Sequence, residues 1–291
     1  MDLNQKQSSQ PACILVLIAG LLLTGIASGP ANGAIDERLD RSLELQGRDE
    51  AWGMSSSLGL LSSTMNRDEA DYIARALFSV GLNKPLPHHF SLGLDLAGQK
   101  DLNREMKSRL TKAKVSVDRP FWSDMGFTTR GEVAYFLAVN KDEIKYDRYR
   151  GAIQLRPQVS YQFKQGNLAG LSLTLDLSML RRFHKYSTSE GGYPLVGRRI
   201  TTGFGLAYKL WQRMTLSARF ANTQAWDHDG DAYRDQYSAT QTIGYQWDRH
   251  LSLAVGHTTG GYTFDYNGAD YDLKFYDRYT SKVFGSLAYS Y

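Results

Sequence analysis

From Trp52 onward, apolar and polar residues alternate along segment after segment of the chain. In 150–163, Ile153, Leu155, Val159, Tyr161 and Phe163 fall on one face; Gln154, Arg156, Gln158, Ser160 and Gln162 take the other. In 168–184, Leu171, Leu173, Leu175, Leu177 and Met179 alternate with Ser172, Thr174, Asp176 and Ser178. Phe90, Leu92, Leu94 and Leu96 alternate in the same way with Ser91, Gly93, Asp95 and Ala97. A period of two places successive side chains on opposite faces of a β-strand. On this pattern strands are expected at 52–61, 72–82, 90–99, 115–127, 131–140, 150–163, 168–184, 198–210, 214–224, 237–247 and 251–260, with a twelfth at the end of the chain. Pro120 marks a bulge or bend in the fourth.

The connections alternate between short and long. KPLPHH, TTR, KQGN, WQR and DRH are short; those near 62–71, 100–114, 141–149, 185–197, 225–236 and 261–278 are long. The last strand, Tyr279 to Tyr291, carries Val283, Gly285, Leu287, Tyr289 and Tyr291 on one face and a more polar set on the other, with Phe284 as its misfit. A bare half-apolar strand is a liability at a sheet edge, and closing the sheet into a barrel removes the edge. Aromatics gather at the expected strand ends: Phe163, Trp211, Tyr245, Trp247, Tyr289 and Tyr291 at one rim, Phe183 and Trp226 at the other. The terminal aromatic strand, the two girdles and the unequal connections together resemble a Gram-negative outer-membrane β-barrel protein, porin- or channel-like, of about twelve strands. The resemblance is architectural and carries no family-specific motif. It implies an all-β, antiparallel transmembrane barrel, short turns on the periplasmic side and longer loops outside. It also implies contact with outer-membrane lipid and lipopolysaccharide, and recognition of the last strand by the barrel-assembly machinery. The competing fold, a soluble sandwich or lipocalin-like barrel, would turn the apolar face inward.

The N-terminus fits this destination. Lys6 precedes an apolar run from Ala12 to Ala27, followed by the small residues Ala31, Gly33 and Ala34, so 1–34 is expected to be a cleaved signal peptide. Residues 35–51 are a charged periplasmic lead, and 52–291 the barrel. Cys13 is the only cysteine and falls in the signal, which excludes disulfide and cysteine–metal chemistry from the mature chain. Removing Lys6 and Asp2 leaves 34−1 = 33 bases and 30−1 = 29 acids, still +4, too mild a charge for a nucleic-acid partner.

With the apolar face toward lipid, the polar face lines a lumen. The phasing puts Arg75, Arg156, Arg182, Arg199, Lys209, Arg219 and Lys282 inside with Asp95, Asp124, Glu132 and Asp176. Rings of charge set ion preference in pores, and this excess favours anions. The same charges could instead pair across strands and brace the wall; Arg156 and Asp176 flank one turn and are the expected pair. Arg182 and Arg199 sit as like charges near the outer mouth, which requires an acidic partner, an anionic solute, a lipopolysaccharide phosphate or water.

Other chemistry is weaker. The loop WDHDGDAYRD resembles a fragment of a calcium loop but lacks the closing Glu, since Ser238 stands there. The loop from Gly261 to Arg278 holds Tyr262, Tyr266, Tyr271 and Tyr276 among aspartates and reads as a lid over the mouth or a solvated loop. His257 with Thr258 and Thr259, His184 near Ser187, and Asp227 with His228 are faint candidates for a hydrolase. The expectation is a non-enzymatic channel with no catalytic residue, metal or cofactor, passing small hydrophilic solutes. Alternatives are a closed barrel with binding loops and a membrane-embedded hydrolase.

Overall fold

The computed structural model describes residues 52–65, 72–102, 108–265, 270–277 and 279–291. The expected signal peptide and periplasmic lead lie outside the described residues, as does Tyr266. Twelve antiparallel strands form one closed barrel. They are β1 (Gly53–Ser63), β2 (Ala74–Leu86), β3 (Phe90–Asp101), β4 (Ser108–Asp124), β5 (Phe127–Leu137), β6 (Tyr149–Gln162), β7 (Leu171–His184), β8 (Val196–Trp211), β9 (Met214–Asp227), β10 (Gln236–Gln246), β11 (Leu251–Tyr262) and β12 (Lys282–Ser290). Each strand pairs with its neighbours in sequence, and β1 closes on β12 from Ser55↔Ser290 to Ser63↔Lys282. One short helix, α1 (Lys141–Tyr146), stands in the β5–β6 connection, with the Asn140 side chain accepting from the Asp142 N–H.

Alternation decides which face is which. Leu58 (65% exposed), Leu60, Val80, Leu96, Leu155, Ile243 and Val255 (65%) project outward all round the barrel. A soluble monomer rarely exposes a contiguous apolar patch of more than a few hundred Å². A belt on every strand belongs against hydrocarbon. The inward partners are mostly Ser, Thr, Gly, Gln and charged residues, so the lipocalin-like arrangement is overturned.

The two ends differ as the connections predict. The links β2–β3, β4–β5, β6–β7, β8–β9 and β10–β11 at the turn end run from two to eight residues, and those at the loop end from six to nineteen. Trp211, Tyr245, Trp247, Tyr289 and Tyr291 are exposed at the turn end, and Trp122, Phe127 and Tyr161 extend that row as a ring stack.

Two expectations are corrected in β4. It starts at Ser108, whereas the alternation predicts a link over 100–114. The register of β4 against β5 also shifts between Pro120 and Trp122, with Phe121 the extra residue. A one-residue bulge turns every later side chain to the other face. Asp124 therefore sits opposite Phe127, which packs on outward Tyr161, and is not a lumen residue.

Candidate functional site: the lumen wall

The seven bases expected inside, Arg75, Arg156, Arg182, Arg199, Lys209, Arg219 and Lys282, all fall on the inward face, with Asp95, Glu132 and Asp176. The early start of β4 adds Arg109, Lys112 and Lys114; Asp118, inside the expected strand but not among the expected lumen residues, also faces inward, as do Asp101 and Arg130 of the neighbouring strands. The signal for these was present: Lys112, Lys114, Ser116 and Asp118 alternate with Ala113, Val115 and Val117. The charged run before them hid it.

Asp176 is the centre of the wall. Its side chain is 2% exposed, and both its oxygens accept from Arg219 Nη2 at 2.9 Å. Arg156 Nη2 approaches Oδ2 at 3.3 Å, as expected from sequence. Arg219 lies on β9 and Asp176 on β7, so the contact crosses β8. Gly203 of β8 makes that possible: a Cβ there would lie 2.5 Å from Asp176 Oδ1 and closer still to Arg219 Nη2. No sequence pattern read strand by strand could show a contact between next-nearest strands.

The same construction continues around β2–β5. Lys114 bridges Asp95 at 3.1 Å and Glu132 at 2.7 Å. Arg130 Nε donates to Asp118 at 2.9 Å. Asp101 accepts from Arg75 Nε at 2.8 Å and lies 3.6 Å from Arg109, which also reaches Asp142 of α1 at 3.1 Å. Each inward acid is thereby held by at least one base.

Bases remain over. Among the described residues Lys112, Arg199, Lys209 and Lys282 have no ion-pair partner, and Arg182 has only a long contact, 3.8 Å, to Glu143 of α1. Four of these five belong to the loop half of the barrel. Three of them, Lys112, Arg182 and Arg199, border an inward apolar group of Tyr149, Ala152 and Leu180 with Phe136 packed against it. Lys112 lies 5.9 Å over the Phe136 ring and Arg182 5.1 Å over Tyr149.

The barrel resembles those of outer-membrane porins. The NanC porin shares the fold with a TM-score of 0.54 at 7% identity, over 81% of this chain and 98% of that one. An outer-membrane channel from Pseudomonas putida F1 gives 0.53 at 11%, over 84% and 98%. No protein-family model and no curated protein matches the chain. At such identities the likeness speaks for the fold alone, so the residues above have to carry their own argument.

The remaining candidates resolve differently. The calcium-like loop is organised by Asp227, whose Oδ1 accepts from the backbone N–H groups of Asp229, Gly230 and Asp231 at 3.0, 2.7 and 2.8 Å. Among the described residues no group of three or more His, Cys, Asp or Glu could hold a metal ion. His228 Nε2 meets His184 Nδ1 at 2.9 Å, leaving Asp227 and His228 in separate networks. His257 Nδ1 bonds Gln241 Oε1 at 3.0 Å on the outer wall, whereas Thr258 turns inward to Thr240. Part of the tyrosine-rich loop lies against the outer wall. The Lys274 N–H donates to Tyr237 Oη at 2.7 Å and Tyr276 stacks on His257 at 6.1 Å, both on the outer wall. The reason is chemical: β9–β11 present Asn222, Gln241 and Thr259 outward near the loop end, and the loop covers part of that polar area.

Proposed function

We propose that this chain is an exported outer-membrane channel that passes small hydrophilic solutes without catalysis and prefers anions. The observation that carries the reading is the surplus of inward bases once every inward acid is satisfied. Eleven bases face five acids: Arg75, Arg109, Lys112, Lys114, Arg130, Arg156, Arg182, Arg199, Lys209, Arg219 and Lys282 against Asp95, Asp101, Asp118, Glu132 and Asp176. Paired charges brace the middle of the wall. Unpaired ones concentrate where a solute would enter. A ring of one sign at a water-filled constriction raises the local concentration of the opposite ion. On this reading the last strand is what the assembly machinery recognises, and the apolar belt meets the outer-membrane lipid.

The test is single-channel recording of the refolded chain in a planar bilayer under a salt gradient. Wild type is expected to reverse on the anion side. Lys112→Gln with Arg199→Gln should lower the anion-to-cation permeability ratio several-fold while leaving the barrel heat-modifiable. Cation preference in the wild type would sink the assignment.

A second reading has one observation in its favour. Phe136, Tyr149 and Leu180 are bulky inward residues at the loop end, so a closed barrel working through its loops is supported by that cluster. It predicts a folded, inserted protein with no conductance steps, and steps on replacing Tyr149 and Phe136 by Ala.

A further inference from the structure

The outer wall carries one arrangement that solute passage does not use. Arg181 of β7 and Arg198 of β8 are direct cross-strand partners, and both side chains point outward and are exposed. Like charges facing each other across a sheet are destabilising. Neither has an ion-pair partner among the described residues. They stand at the loop rim in a row with the aromatic residues Tyr135, Phe183 and Trp226, at the level where interfacial side chains gather.

Below them lies a groove of about 550 Å³ whose lining includes both arginines, Ile153, Leu155, Met179 and Ile200. The register orders it. Arg181 faces Ile153 on one side and Arg198 on the other; two residues toward the turn end, Met179 faces Leu155 and Ile200. Two strand residues are about 7 Å. The wall thus offers two planar guanidinium forks above an apolar groove lined by Leu155, Met179 and Ile200. Arginine matches phosphate oxygens in forked geometry, and an anion between the pair converts their repulsion into attraction.

We propose that this groove binds a membrane lipid with a phosphate headgroup, the phosphate bridging Arg181 and Arg198 and an acyl chain lying along Leu155, Met179 and Ile200. The proposal rests on the reading that the apolar belt faces a bilayer. The site is separate from the lumen, because Arg182 and Arg199, one residue along each strand, point to the opposite face. Arg198→Gln and Arg181→Gln should therefore change lipid binding and leave pore selectivity alone.

The experiment uses the full refolded chain in neutral detergent, with native mass spectrometry as the readout. The probes are phosphatidic acid, phosphatidylcholine with the same chains, and inorganic phosphate. Wild type is expected to bind phosphatidic acid at least tenfold more tightly than phosphatidylcholine. The double variant Arg181→Gln/Arg198→Gln should bring the two lipids within twofold. Lys100→Gln, which removes an outward cation from β3, should leave the preference as it was. Undiminished preference in the double variant overturns the proposal, as does equal binding of both lipids by the wild type. Displacement of phosphatidic acid by equimolar inorganic phosphate also overturns it, since the groove would then contribute nothing. Flotation with phosphatidylcholine vesicles separates the two levels. A wild type that fails to float removes the membrane reading and this proposal with it; one that floats but shows no headgroup preference removes this proposal alone.

Discussion

Strands β2–β9 and the set β10, β11, β12 and β1 are two arcs of one wall, with opposite chemistry toward the lumen. The first arc carries ten of the eleven inward bases and all five inward acids. The second faces the lumen with Ser57, Gly59, Thr240, Thr242, Gly256, Thr258 and Ser286, and with a single base, Lys282. Its hydrogen bonds are short neutral ones, such as Thr240 to Thr258 at 3.0 Å. Both arcs have the same strand period and the same apolar outer face. Alternation makes the barrel; the inward residues decide how demanding each arc is. Neutral hydroxyls tolerate loss, because a vacated partner can turn to water. Buried ion networks do not, because removing one member leaves the others charged and uncompensated. The inward charge of the barrel is therefore gathered on one side of the wall, not spread as a uniform ring.

The largest break in this comparison is expected at its most buried charge. Asp176→Ala leaves Arg156 and Arg219 facing each other with no carboxylate, and should destabilise the barrel by about 3–5 kcal/mol. Thr258→Ala in the neutral arc removes one hydroxyl bond and should cost about 1 kcal/mol. Urea unfolding of both variants refolded into vesicles, followed by tryptophan fluorescence, checks the ratio; equal costs would remove the distinction between the arcs.

Glycines sharpen it further. Gly203 and Gly244 both face inward, and a sequence reading treats them alike. A Cβ at Gly203 enters the Arg219–Asp176 contact, so Gly203→Ala should cost about 1–3 kcal/mol through overpacking. A Cβ at Gly244 would find its nearest neighbours at 3.8 and 4.0 Å, so Gly244→Ala should fall within about 0.5 kcal/mol of wild type. The same unfolding series measures both.

That contrast also locates what the chain could reveal on its own. Strand order, closure, the facing of Arg75, Arg156, Asp176 and Arg219, and the Arg156–Asp176 pair all follow from period two and from the length of each turn. Three things did not follow. The phase of Asp124 depended on a bulge at Phe121, and a bulge has no periodic signature. Lys112 and Lys114 lay under a run of mixed charge that masked their alternation. Arg219 meeting Asp176 depends on the missing side chain of Gly203 between them, a relation across three strands. Phe284, the misfit of the last strand, belongs with these: it faces inward over Gly256, whose absent side chain leaves room for the ring.

The smallest expected effect lies at the turn end of the neutral arc, at the Asp248 carboxylate. Asp248, in the β10–β11 turn, accepts from the N–H groups of His250 and Leu251 at 2.7 and 2.8 Å. Those two backbone bonds hold its carboxyl below the usual carboxylate range, with His250 and Arg213 adding to the effect. A carboxyl depressed in the folded state contributes stability above its unfolded pKa, and loses it as pH falls through the folded value. Asp248→Asn should therefore unfold at a slightly lower urea concentration than wild type near neutral pH, and the gap should narrow as pH drops below about 4. Asp176→Ala offers the counterpart. Its loss comes mainly from two stranded guanidiniums, so at neutral pH it should remain the far larger of the two gaps. If the Asp248→Asn gap held constant through acid, or matched the Asp176→Ala gap at neutral pH, the division between a neutral arc resting on turn chemistry and a charged arc resting on its ion network would be drawn in the wrong place.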